Sequence, residues 1–275
     1  MSLILPLLLA TATAAAPSPA LPLSLPKGEE ARFKACLEKI DADPDGAISF
    51  AGQWRLAGGD VGARQCLGMA YAAQQRWASA MTALEQAADA AQKQGDARAA
   101  GILVQAGNAA LAAGDAPRAR GFLDAALTLG TLQGAEAGEA RLDRARALVA
   151  TGEPAKARAD LDAALSLVPE DPLGWLLSAT LARRMGDLAR AQADIADAAK
   201  RAPDDASIAL EAGNIAALAG RDEAARTAWE AARKLAPESP VGKAAARALE
   251  QFADAPPAPT SPPPPPPPPP ATPAP

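Results

Sequence analysis

Gly152, Gly186 and Gly220 stand 34 residues apart, and each is followed five residues later by an alanine, at Ala157, Ala191 and Ala225. A second alanine follows at Ala164, Ala198 and Ala232, then a proline at Pro169, Pro203 and Pro237. A period this regular restricts the chain to copies of one small unit. Such a unit cannot bury its apolar faces alone and has to stack on its neighbours. The spacing also has a local physical reading. Glycine takes the left-handed backbone that ends one helix, a second helix of about fourteen residues follows, and proline stops it. Alanines seven apart lie on one stripe of that second helix, leaving it nearly without bulk. Leu161, Ile195 and Trp229, midway between them, supply the large apolar side chain of the contact.

With the glycine counted as position fifteen, the prolines fall at thirty-two, and one unit carries Trp175 at four, Ala179 at eight, Ala191 at twenty, Ile195 at twenty-four and Ala198 at twenty-seven. This pattern resembles the tetratricopeptide repeat. The resemblance covers five units, 61–94, 100–133, 138–171, 172–205 and 206–239. It is supported independently by the related strings AGNAALAAGD at 106–115 and AGNIAALAGRD at 212–222. It implies an all-α, right-handed solenoid of helix pairs. The unit at Ala100 keeps Gly114, Ala119, Leu123 and Ala126 but has Thr131 in place of proline. Its start lies 38 residues before that of the next unit at Gly138, so its second helix is expected to run longer. The unit at Val61 has Leu67, Gly68, Tyr71, Trp77, Ala80, Leu84 and Ala87 but no glycine at its turn, and five extra residues follow it. Residues 27–58 read as a degenerate helix pair, and 240–253 as a capping helix whose outer face carries Lys243, Arg247 and Glu250.

Composition narrows the chemistry. The chain is 49% hydrophobic but only 3% aromatic, so its apolar mass is largely alanine and leucine, which favour close-packed helices. Histidine is absent, which removes most proton shuttles, many metal sites and the His-dependent nucleophilic triads. No cofactor and no enzymatic activity are expected. With a net charge of −5 and basic residues scattered among acidic ones, nucleic acid is not an expected partner.

Residues 1–20 carry no charge and combine an apolar run, Leu3 to Ala10, with the small residues Ala12, Ala14 and Ala16. That arrangement reads as a secretory signal, with cleavage after Ala14 and a periplasmic or secreted mature chain. The apolar run is too short to remain as a membrane span. At the other end, Pro262 through Pro270 is unbroken, and 255–275 reads as a solvated proline-rich tail. Export gives a meaning to the only two cysteines, Cys36 and Cys66, which an oxidising compartment would join.

Two functional readings follow. In the first, tetratricopeptide resemblance implies a concave groove lined by the first helix of each unit, holding a protein or peptide partner. Position nine runs Met69, Asn108, Arg146, Thr180, Asn214, and the amides of Asn108 and Asn214 offer a peptide both donor and acceptor. Arg183 and Arg184 add attraction for anions, while Leu173, Leu176, Leu177, Val104 and Leu111 add apolar contact. The alternative is a calcium-responsive module. Asp41, Asp43 and Asp45, then Gly46 and Ile48, resemble the start of an EF-hand loop over 41–52, although Gly52 stands where that family has a bidentate glutamate. The competing picture of the segment is a helix, a turn at Pro44-Asp45-Gly46, and a second helix through Trp54.

Overall fold

The computed structural model describes residues 28–253; the leader at 1–20 and the tail at 255–275 lie outside them. An N-terminal pair, α1 (Glu29–Ala42) and α2 (Pro44–Leu56), precedes five more pairs. These are α3 (Val61–Ala73) with α4 (Trp77–Gln94), α5 (Ala99–Ala112) with α6 (Ala116–Thr128), and α7 (Gly134–Ala150) with α8 (Pro154–Leu167). They continue as α9 (Pro172–Arg184) with α10 (Leu188–Arg201) and α11 (Ala206–Leu218) with α12 (Asp222–Leu235). The single helix α13 (Pro240–Ala253) closes the stack. Among the described residues there is no strand, and the protein is an all-α helical repeat solenoid.

The turn inside each pair follows from its glycine. Gly114, Gly152, Gly186 and Gly220 have φ of 77, 80, 81 and 69°, a region closed to most side chains. In the first repeat Gln75 occupies the same place at φ 57°, the one positive-φ residue other than glycine among the described residues. Asp115 and Asp187 follow the turn and cap the next helix by accepting from the backbone N–H of Arg118 and Arg190. The irregular units resolve differently from expectation. Helix α6 does not lengthen: Gly130, at φ 69°, ends it after 13 residues, and the additional residues enter the following loop and a 17-residue α7. The insertion after the first repeat instead extends α4 to 18 residues, because Gln92 rather than proline stands at its thirty-second position and the helix runs on to Gly95.

Within each pair, position eight of the first helix lies under position twenty-four of the second. A Cβ added at Gly68 would come 2.5 Å from Leu84 Cγ, one at Gly107 would come 2.7 Å from Leu123 Cγ, and one at Gly213 would come 2.4 Å from Trp229 Cδ1. The middle units pair Ala145 and Ala179 with Leu161 and Ile195, all buried. Small meets large in every unit, so the two backbones approach closely. The apolar core is correspondingly divided along the stack, with separate buried clusters around the third, fourth and fifth repeats and at either end. Consecutive first helices touch, α5 with α7, α7 with α9, α9 with α11 and α11 with α13, whereas second helices make no comparable contact with one another. The stack therefore bends with its first helices inside.

At the N-terminus, Pro44-Asp45-Gly46 forms no turn. Pro44 starts α2, where its missing N–H costs nothing, and 44–52 is continuous helix. This overturns the calcium reading. A loop wound as a helix cannot wrap an ion with Asp41, Asp43 and Asp45, and Asp45 instead accepts from Gln74 Nε2 at 2.7 Å. No group of three metal-ligating side chains occurs among the described residues. Trp54 lies against the backbone of Gly59 and Gly62, where an added Cβ would stand 2.3 and 2.7 Å from the indole. Beside it, Cys36 of α1 and Cys66 of α3 stand at disulfide distance with Cα atoms 6.1 Å apart, both fully buried.

Candidate functional site

The inner seam, where consecutive first helices meet, carries a line of polar side chains. Gln65 of α3 donates from Nε2 to Gln105 Oε1 of α5 at 3.1 Å. One turn on, Asn108 turns its amide N–H₂ toward the Asp143 carboxylate of α7, which also pairs with Arg146 at 3.1 Å. Burial pushes the Asp143 carboxyl above its ordinary range against the opposing pull of Arg146 and Asn108. Glu139, one turn before Asp143, is raised by partial burial and then by the neighbouring charges of Asp143, Asp171 and Glu136.

The C-terminal half of the seam is paired internally. Arg183 of α9 grips Glu211 of α11 in a fork, Nε to Oε1 at 2.7 Å and an Nη to Oε2 at 3.2 Å. Glu211, only 7% exposed, accepts from Asn214 Nδ2 at 3.1 Å, and Asn214 Oδ1 accepts from Trp229 Nε1 at 3.1 Å. The amide of Asn214 thus links an inter-repeat ion pair to the core of the last repeat. Thr180 is half-buried and makes no side-chain hydrogen bond among the described residues, and Arg184 is exposed without an ion pair there. Leu173 is exposed, while Leu176, Leu177, Val104 and Leu111 are half-buried against the adjoining cores.

The expected residues therefore fall on one surface in two groups. Asn108 and Arg146 gather on Asp143, and Arg183 and Asn214 gather on Glu211, with Thr180 and Arg184 between and beside them. The two carboxylates at the centres, and Gln65 and Gln105, were not anticipated. They occupy positions five and six of their units, facing the same groove as position nine, and the signal was their shared register.

A second polar layer lies between the helices of a pair. Asp160 of α8, 4% exposed, receives two bonds of 2.7 Å from Arg144 of α7, which also reaches Asp124 at 3.0 Å. In the next repeat Ser178 donates to buried Asp194 and accepts from Arg158. These buried charges and hydroxyls satisfy one another inside the stack.

Two family models match this chain, both described as tetratricopeptide repeat, over residues 138–181 and 176–240. Together they span residues 138–240, the three most regular units of the chain. Solved structures extend the likeness of fold over most of the chain. One is the Pseudomonas aeruginosa protein pilF, with a TM-score of 0.65 and 16% identity over 79% of this chain and 96% of that one. The tetratricopeptide protein YrrB matches at 0.52 and 22% identity over 81% and 99%. Against a chain of the APC/C hetero-tetramer Cut9-Hcn1 the TM-score is 0.64 at 12% identity, covering 82% of this chain but 42% of that larger one. A comparison with the curated proteins finds no match.

Proposed function

We propose that this protein is a non-enzymatic scaffold of the cell envelope that holds an extended segment of a partner protein in the groove formed by its first helices. The observation that carries the reading is the line of polar side chains that the first helices α3, α5, α7, α9 and α11 place in one register, from Gln65 through Asn108 and Asp143 to Glu211. YrrB, a relative in fold, is described as having an unusual peptide-binding site. Asn108, Arg146, Thr180 and Arg184 are the side chains set to meet the ligand, while Arg183 and Asn214 hold the groove floor. Export is supported by the Cys36–Cys66 pair, which needs an oxidising compartment to persist, and by the uncharged leader. Among the described residues no helix is long and apolar enough to cross a membrane.

A photoreactive amino acid at Thr180 should cross-link a partner in living cells, and one at Glu230 on the outer surface of α12 should not. The reverse pattern would place the interface on the second helices and reject the groove. N-terminal sequencing of the chain from an envelope fraction should begin at Ala15; the full-length chain confined to the cytosolic fraction would reject export.

A further inference from the structure

We propose that the proline-rich segment 255–275 of this same chain lies across the C-terminal ends of the first helices, along a row of apolar side chains that the solenoid leaves uncovered. Met185 at the end of α9 and Leu218 at the end of α11 are 50% and 58% exposed. They stand at positions fourteen and thirteen of consecutive units. Leu111 of α5 and Val149 of α7, half-buried at position twelve, continue the row toward the N-terminus. Beside Met185, Arg184 is exposed and has no ion pair among the described residues.

The occupant is indicated by where the chain goes next. Helix α13 belongs to the layer of first helices and touches α11, and Ala253 is position fourteen of its incomplete unit. Asp254 then stands at position fifteen, where the four preceding units have the glycine that turns the chain outward. The tail therefore starts at the same rim as Leu218 and Met185. Phe252 fixes that starting point by packing edge-on against Trp229, with ring centroids 5.3 Å apart. Neighbouring packed helices are separated by about 8–10 Å. Residues 254–261, about 25 Å if extended, reach from α13 across α11 to α9, and Pro262 to Pro270 add about 28 Å, enough to pass over α7 to α5. A polyproline helix advances about 9 Å in each three-residue turn, close to the helix spacing, so one proline ring in three meets each first helix in succession. The chemistry agrees. Proline rings are apolar and their carbonyls accept with no N–H to give, so such a segment needs apolar contact and side-chain donors. Leu218 and Met185 supply the first, and Arg184 the second. A partner entering the groove over α9 and α11 has to displace a ligand tethered to the same chain. The docking itself does not depend on the groove reading.

The test is a photoreactive amino acid at Met185 in the purified full chain, illuminated at low concentration. Mass spectrometry should find it joined, within single chains, to the tryptic peptide that begins at Ala248 and runs through the tail. The same group at Glu230 should not reach that peptide. Replacing Pro262 to Pro270 by serines should lower the yield about tenfold, because a flexible segment pays more to be ordered. Leu218→Ser combined with Arg184→Gln, both exposed in the parent, should lower it about fivefold with the melting temperature unchanged. A tail cross-link found only between two chains would give the row to a second copy. A yield indifferent to the serine replacement would reject polyproline as what is recognised, and no cross-link to the tail would leave it in solvent; each of these overturns the proposal.

Discussion

Gly213 and Trp229 show how much of this fold depends on matched sizes. No side chain fits at position eight of the last repeat, because the indole lies where a Cβ would be. Gly213→Ala should therefore destabilise by about 1–3 kcal/mol through overpacking. Adding Trp229→Ile should recover part of that loss, since the fourth repeat already joins Ala179 to Ile195. A double-mutant cycle by chemical denaturation checks this; additive effects would mean that the two positions do not share one space. Glu139 allows a different test. Its carboxyl is raised above the ordinary 4.5 in the folded protein. The folded state thus binds the proton more tightly than the unfolded state, and stability falls as pH rises from that value through the raised one. Glu139→Gln removes the penalty. The variant should melt above the parent at pH 7, with the difference vanishing near about pH 3, where both states are protonated. An equal gain at both values would assign the effect to something other than charge.

Pairs of helices are held to one another by contacts that the repeat period makes readable, whereas their polar links are not marked in the local chain. Glycine, alanine and proline at fixed intervals specify turn, close approach and stop, and α8, α10 and α12 each run 14 residues as that logic requires. Where the period is broken it says only that residues have been added, not where they go. Glycine at 95 and 130 settled that, lengthening α4 and ending α6. The relay from Arg183 through Glu211 and Asn214 to Trp229 was harder to foresee. Arg183 and Glu211 lie 28 residues apart, and either could have been an ordinary solvated charge. Asn214 at position nine reads from sequence as a groove residue, and in the fold both ends of its amide are engaged. Its replacement by alanine should cost about 1–3 kcal/mol, as the Trp229 N–H loses its acceptor. Arg183→Ala should cost about 3 kcal/mol by leaving the buried Glu211 carboxylate unpaired. Urea unfolding measures both; values within experimental error of the parent would return the two residues to the solvated face.

Across the entire stack, buried clusters that join a repeat to its neighbours but never run the whole length mean that stability is passed on between adjacent units. Reduction of Cys36–Cys66 releases a span of 30 residues, which the chain-entropy model values at about 3–4 kcal/mol. Hydrogen exchange after reduction should rise through α1, α2 and α3 and stay unchanged in α9 to α13; a uniform rise would mean that the stack unfolds as one cooperative body. The far end is closed by other means. Pro240 lies one period after Ala206, so α13 stands as the first helix of a sixth unit, and the exposed residue at its position eight is Arg247, where every complete unit has glycine or alanine. That arginine occupies the face on which a second helix would have seated its large side chain. Growth by tandem duplication is thereby directed to the interior. A further 34-residue copy spliced between 239 and 240 inherits a small residue at every helix crossing and keeps the existing terminus. One appended after 253 would begin against a guanidinium. The number of repeats, and with it the length of the inner surface, is free to change everywhere except at that end.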